Sequence, residues 1–214
     1  MMKIITDSVI GFKDANIPFT LLSKNSNTKS LAIMLPGLGY TAQGPLFHYS
    51  TGVFLNKNAD VLHINYQYNA AFYESFTNEE IDEALKRDVR NVIDTVLSAH
   101  TYSVFYLIGK SLGTIALASE LGRTAFFDAK VIWLTPLLNR EDVFGSIVKS
   151  KKRGLCMIGD KDPYYKEDRF QQLKDNPILN SVLIPEANHS LELDGDPVGS
   201  VDILKAVIAK IEAF

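Results

Sequence analysis

The stretch YLIGKSLGT, residues 106–114, can close a phosphate-binding loop or present a serine on a sharp turn, and the choice between these decides the fold. Gly109-Lys110-Ser111 would end the first motif; Gly109-x-Ser111-x-Gly113 is the core of the second. A phosphate loop needs a glycine at position 104, where this chain has Val104. Phe105, Tyr106, Leu107 and Ile108 then read as a strand, so no loop remains whose N–H groups could wrap phosphates. A dinucleotide site fares no better: Gly37-Leu38-Gly39 follows an apolar run, but position 42 holds Ala42 in place of the third glycine. The serine motif predicts a strand ending at Gly109, a strained turn at Ser111 and a helix beginning with small residues. Gly113, Ala116, Ala118 and Ser119 satisfy that last requirement.

Outward from this stretch, apolar runs bounded by turn residues lie at 31–35, 61–66, 104–108, 131–134, 155–158 and 182–184. They read as strands buried on both faces. Helical spacing separates them, clearest where Ile81, Leu85, Val89, Val92 and Val96 share a face behind a Thr77/Glu80 capping box. The last segment places Val201, Leu204, Ile208 and Ile211 on one face, with Pro197 in the expected first turn. Strand, helix and strand in succession give a parallel sheet. Weaker strand candidates at 3–6 and 18–22 would add an antiparallel edge. The expected fold class is α/β, a three-layer sandwich of a mostly parallel central sheet with helices on both faces, in a single domain over residues 1–214.

Composition narrows the function classes. With 46% hydrophobic and 22% charged residues the chain is neither disordered nor built around a solvated charge run. A net charge of −3 and one short basic cluster at 149–153, broken by Ser150, argue against a nucleic-acid partner. No run is long enough to span a membrane, and the opening MMKIITDSVI has Asp7 where a secretory signal would be apolar. Cys156, the one cysteine, lies in the apolar run GLCMIG and reads as a small core residue. A cytoplasmic setting without a membrane partner is the expectation. Of the remaining histidines, His63 alternates within a strand and His100 follows a helix; none pairs at metal-ligand spacing, so neither metal nor cofactor is expected.

A serine hydroxyl is a poor nucleophile until a base accepts its proton, and the base needs an acid to fix its tautomer. On a sheet of this kind the three follow in the order serine, acid, histidine. After Ser111 come CMIGDKDPYY, where a strand exits into a turn carrying Asp160 and Asp162, and LIPEANHSLE, where His189 sits just past another strand. All three groups would leave parallel strands at the carboxyl edge, where α/β proteins place their sites. Either aspartate could serve.

From LAIMLPGLG (31–39) through GKSLG (109–113) and GDKDP (159–163) to NHS (188–190), the chain resembles the α/β-hydrolase superfamily, and within it a small, lid-poor serine hydrolase. The resemblance covers nearly the whole chain. It implies Ser111 as nucleophile, His189 as base and Asp162 as acid, the family's aspartate lying three residues after the strand-ending glycine; Asp160 is the competitor. It also implies an oxyanion hole from the backbone N–H groups of Leu112, after the nucleophile, and Leu38, in the loop Pro36-Gly37-Leu38-Gly39-Tyr40. Many relatives carry His-Gly where this chain has Pro36-Gly37, so a role for that histidine side chain is lost. Residues 136–154, where relatives often insert a lid, hold one helix's worth of chain, which implies an open site for small esters.

The implied activity is cleavage of a carboxylic ester or thioester of a small-molecule acyl substrate. Acyl transfer by the same residues, and a noncatalytic small-molecule sensor on the same fold, are the alternatives. Lys110 reads as filling space beside the turn. Aromatics gather in two expected loops after strands, Tyr40, Phe47 and Tyr49 in one and Tyr66, Tyr68, Phe72, Tyr73 and Phe76 in the other, and would either wall a pocket or pack the sheet rim.

Overall fold

A computed structural model describes residues 2–25 and 27–214. Eight strands form one sheet: β1 (Lys3–Ile10), β2 (Asn16–Ser23), β3 (Ser30–Leu35), β4 (Ala59–Ile64), β5 (Val104–Lys110), β6 (Lys130–Leu134), β7 (Gly154–Gly159) and β8 (Leu179–Ile184). Their spatial order is β1-β2-β4-β3-β5-β6-β7-β8. β1 and β2 pair antiparallel, and β2 joins β4 antiparallel; every pairing from β4 to β8 is parallel. The mostly parallel sheet with an antiparallel edge is the arrangement expected from the sequence.

Both faces are covered, which is why the strands read as continuous apolar runs. The helices are α1 (Pro45–Asn56), α2 (Asn78–Ala99), α3 (Gly113–Glu120), α4 (Glu141–Val148), α5 (Glu167–Lys174) and α6 (Pro197–Ala213). Leu31, Ile33 and Leu35 of β3 point into the core shared with α2, α3, α4 and α5, while Ala32 and Met34 point into the core shared with α1 and α6. The period-two alternation of a strand thus feeds two separate cores.

Local signals place the helix starts. The Thr77 hydroxyl accepts from Glu80 N–H while the Glu80 carboxylate accepts from Thr77 N–H, the reciprocal box read from the sequence. Pro197 opens α6 behind Asp196, whose side chain accepts from Gly199 N–H. The buried face of α6 differs from the expectation: Val207 and Ile211 are buried, whereas Val201 is 62% exposed. Val201 instead faces an open groove between the starts of α1 and α6. Similarly, Phe47 and Tyr49 lie in α1 and not in a loop; Phe47 is buried in the core and Tyr49 is exposed. Tyr66, Tyr68 and Tyr73 are buried and stacked on one another, so these aromatics pack the rim and only Phe72 among them is exposed.

One feature of the order positions everything else. The chain runs from β3 outward to β4, then returns across β3 to β5. The loops leaving β3 and β5 therefore depart in opposite directions and leave a crevice at the carboxyl edge, the usual ligand-binding place in such sheets.

Candidate active site

Register brings Leu35, the end of β3, beside Gly109 of β5, so the loop 36–40 and the turn at Ser111 are neighbours. Ser111 has φ +50, a left-handed conformation that costs free energy in a residue with a Cβ. Its backbone is fixed on both sides: the N–H donates to the Leu134 carbonyl at 3.0 Å, and its carbonyl accepts from Thr114 N–H at 2.9 Å. The glycines make this turn possible. A Cβ at Gly113 would lie 2.0 Å from the Leu35 carbonyl oxygen, and one at Gly109 would lie 3.0 Å from the Gly113 carbonyl oxygen. The helix α3 can start this close to β3 and β5 only because neither residue has a side chain.

Asp162 follows β7 and His189 follows β8. His189 Nε2 lies 2.7 Å from Ser111 Oγ, and His189 Nδ1 lies 2.7 Å from Asp162 Oδ2. A carboxylate only accepts, so Nδ1–H donates to Asp162 and Nε2 is left to accept the Ser111 hydroxyl proton. The Asp162 side chain is fully buried, and its second oxygen accepts from Tyr164 N–H at 2.9 Å. Asp160 instead accepts from Glu186 N–H at 2.7 Å and ties the acid loop to the loop after β8. Of the two aspartates left open by the residues alone, Asp162 is the one beside His189.

The two loops are packed backbone to backbone. A Cβ at Gly159 would sit 1.8 Å from the Ala187 carbonyl oxygen, which also accepts from Lys161 N–H. Asn188 folds the histidine loop: its Oδ1 accepts from Ser190 and Glu192 N–H groups, and its Nδ2 donates to Asp194. It does not hold the His189 ring.

In the loop after β3, a Cβ at Gly37 would approach Ser111 Cβ to 3.0 Å, so this loop lies against the nucleophile turn. Neither Leu38 N–H nor Leu112 N–H has a hydrogen-bond acceptor among the described residues. Two unengaged donors beside a serine are what a developing oxyanion requires. The loop is braced from beneath: the buried Tyr66 hydroxyl donates to the Pro36 carbonyl at 2.5 Å, and Tyr68 donates to the buried Asp88 carboxylate at 2.8 Å.

No family model matches the sequence, and no curated protein matches it. Solved structures do resemble it. A protein of unknown function from Agrobacterium tumefaciens is 18% identical, with 98% of this chain and 94% of that one covered at a TM-score of 0.76. An α/β serine hydrolase without lid from Xanthomonas campestris is 15% identical, with 99% and 94% covered and a TM-score of 0.71. An esterase from Pyrococcus furiosus is 12% identical, with 99% and 91% covered and a TM-score of 0.73. The chain has the α/β-hydrolase fold.

Within the α/β-hydrolase fold, this chain departs from lidded members in the segment between β6 and β7, where the eight-residue α4 stands alone. The site is correspondingly open: the His189 side chain is 28% exposed. Beside Ser190 an open groove of about 330 Å³ runs between the starts of α1 and α6, lined by Tyr40, Leu46, Glu192, Val201 and Leu204. Tyr164 packs edge-on against the His189 ring, with centroids 5.0 Å apart.

Other candidates are quiet. Burial pushes the Cys156 thiol up to about 12, which removes its nucleophilic form near neutral pH. Burial also lowers His63 to about 4; this histidine of β4 bonds Thr51 of α1 at 2.7 Å. Among the described residues no cluster of His, Cys, Asp and Glu is placed to hold a metal, and no helix is long and apolar enough to cross a membrane. Tyr66 and Thr135 support the site without a sequence signal of their own, because each acts through a partner distant in the chain.

Proposed function

We propose that the protein is a serine hydrolase that cleaves a carboxylic ester or thioester of a small substrate through an acyl-enzyme. The observation that carries this reading is the continuous relay from Ser111 Oγ through His189 to Asp162, both contacts at 2.7 Å, with Ser111 on a strained turn. Ser111 attacks the carbonyl carbon while His189 Nε2 takes its proton. The N–H groups of Leu38 and Leu112 receive the oxyanion, and Asp162 holds the imidazole and stabilises its charged form. His189 then delivers the proton to the departing alcohol or thiol as its bond to the acyl carbon breaks. A water, deprotonated by His189, attacks the acyl-Ser111 carbonyl; collapse releases the acid and restores the hydroxyl.

The exposure of His189 favours water over another acyl acceptor, because transfer depends on excluding water from the acyl-enzyme. The groove that flanks the site, lined by Tyr40 of the Leu38 loop and by Ser190 next to His189, is near the lower end of usual ligand pockets and would suit a short acyl chain directed into it. The single buried cysteine fits a cytoplasmic setting. The reading is tested by turnover of p-nitrophenyl esters of increasing chain length. It expects acetate and butyrate to be cleaved with kcat/KM falling for long chains, and Ser111→Ala to lose at least about 10³-fold. A folded protein that turns over none of them, nor the matching short thioesters, refutes it.

A further inference from the structure

Lys110 is the last residue of β5 and the residue before Ser111. Its side chain is 3% exposed, and among the described residues it has no ion pair. A buried ammonium costs free energy unless each of its protons is satisfied, and an apolar side chain of similar volume would fill the same space more cheaply. Lys110 Nζ donates to the His189 carbonyl at 3.0 Å and to Thr135 Oγ1 at 3.3 Å, and its charge lies over the Tyr40 ring at 4.9 Å. The His189 backbone makes no other hydrogen bond among the described residues. The peptide that follows His189 is thus held at both ends, its N–H on Ser190 donating to Asn188 Oδ1 within the loop and its carbonyl accepting from Lys110, the one tie among the described residues that runs from this peptide to β5.

We propose that Lys110 is a positioning residue: by bonding the His189 carbonyl from the position next to Ser111, it locks the base to the nucleophile at reacting distance. This rests on the serine-hydrolase reading above. The imidazole has its two ring bonds to Ser111 and Asp162, but those would follow the ring wherever its backbone drifted only at the expense of alignment. Lys110 removes that drift by connecting the β5 turn directly to the loop after β8. Burial lowers its ammonium to about 8, with Asp162 and Glu192 opposing, which marks a charge kept in place at a cost to folding.

The test compares wild type with Lys110→Met by kcat and KM on p-nitrophenyl acetate, by the rate of fluorophosphonate labelling, and by melting temperature. The expected result is a kcat and a labelling rate lowered by roughly 10- to 100-fold, with KM nearly unchanged and the melting temperature equal or higher. A folded Lys110→Met protein with wild-type kcat overturns the proposal and leaves the hydrolase reading intact. A wild type that is neither labelled nor active brings down both. Lys110→Ala supplies a second readout, since the shortened side chain leaves room for a small amine. Ethylammonium should raise its labelling rate several-fold without moving the melting temperature; a folded variant insensitive to it also overturns the proposal.

Discussion

Asp160 and Asp162 leave the same strand within one turn, yet their chemistry differs because of what each oxygen faces. Asp162 is buried against His189, whereas Asp160 bonds a backbone N–H across two loops. Asp162→Asn should lower kcat by about 10⁴-fold, since an amide favours the wrong imidazole tautomer. Asp160→Ala should leave kcat within about tenfold and act mainly on stability, by loss of one hydrogen bond worth about 1 kcal/mol. Steady-state kinetics and denaturation of the two variants separate these effects. Lys110 gives a prediction in pH. Its value falls from 10.5 to about 8 in the folded protein, through burial. Below about pH 8 both folded and unfolded chains hold the proton, and the folded state carries the full burial cost, on the order of 3 kcal/mol. Between about 8 and 10.5 the unfolded chain binds more protons, so this group makes stability rise with pH. The stability gap between Lys110→Met and wild type should therefore narrow over that range in urea titrations; a gap constant with pH would contradict the burial of a charged Lys110. The identities of the serine, the histidine and two acid candidates were legible in the sequence because each follows a strand end. The choice of Asp162 came only from the resemblance, and the direction of Lys110 was not legible at all, because both depend on side-chain geometry across loops far apart in the chain.

At the scale of elements, the β5–turn–α3 unit was the most legible part of the molecule. Its pattern of strand, glycine, serine and glycine has a steric cause that the structure makes explicit at Gly113, where a Cβ would strike the Leu35 carbonyl oxygen. Gly113→Ala should cost at least about 1–3 kcal/mol by forcing α3 away from β3. It should also lower activity by more than the loss of folded protein explains, because the turn that presents Ser111 moves with the helix. Thermal melts alongside active-site titration distinguish the two contributions. The capping box of α2 was equally plain, since both partners lie within one turn of chain. The face of α6 was read less well: its spacing was apolar from the first turn, but Val201 is exposed and full burial begins only at Val207. Periodicity reports which residues could share a face and is silent on where the supporting layer stops. The aromatics were left open between pocket wall and rim for a related reason, as burial of Tyr66 and Tyr68 is set by α2 and Asp88 on a different part of the chain.

At the scale of the molecule, sheet order does the work of assembly. Because β3 lies between β4 and β5, the loop bearing Leu38 meets the turn bearing Ser111, and the parallel strands β7 and β8 bring Asp162 and His189 to the same edge. Alternation of strands and helices made the three layers predictable. Strand order was not readable from periodicity, which carries no information on which strands are neighbours. The short segment between β6 and β7 leaves the crevice uncovered, which is what the proposed preference for small substrates rests on. The most direct measurement on the central claim is intact mass after fluorophosphonate treatment of wild type, Ser111→Ala and His189→Ala, each verified as folded by circular dichroism. One adduct on the wild type, mapped to Ser111, with none on Ser111→Ala and strongly slowed labelling of His189→Ala, is the predicted result. A folded wild type that stays unmodified, or an adduct that persists in Ser111→Ala, would contradict it.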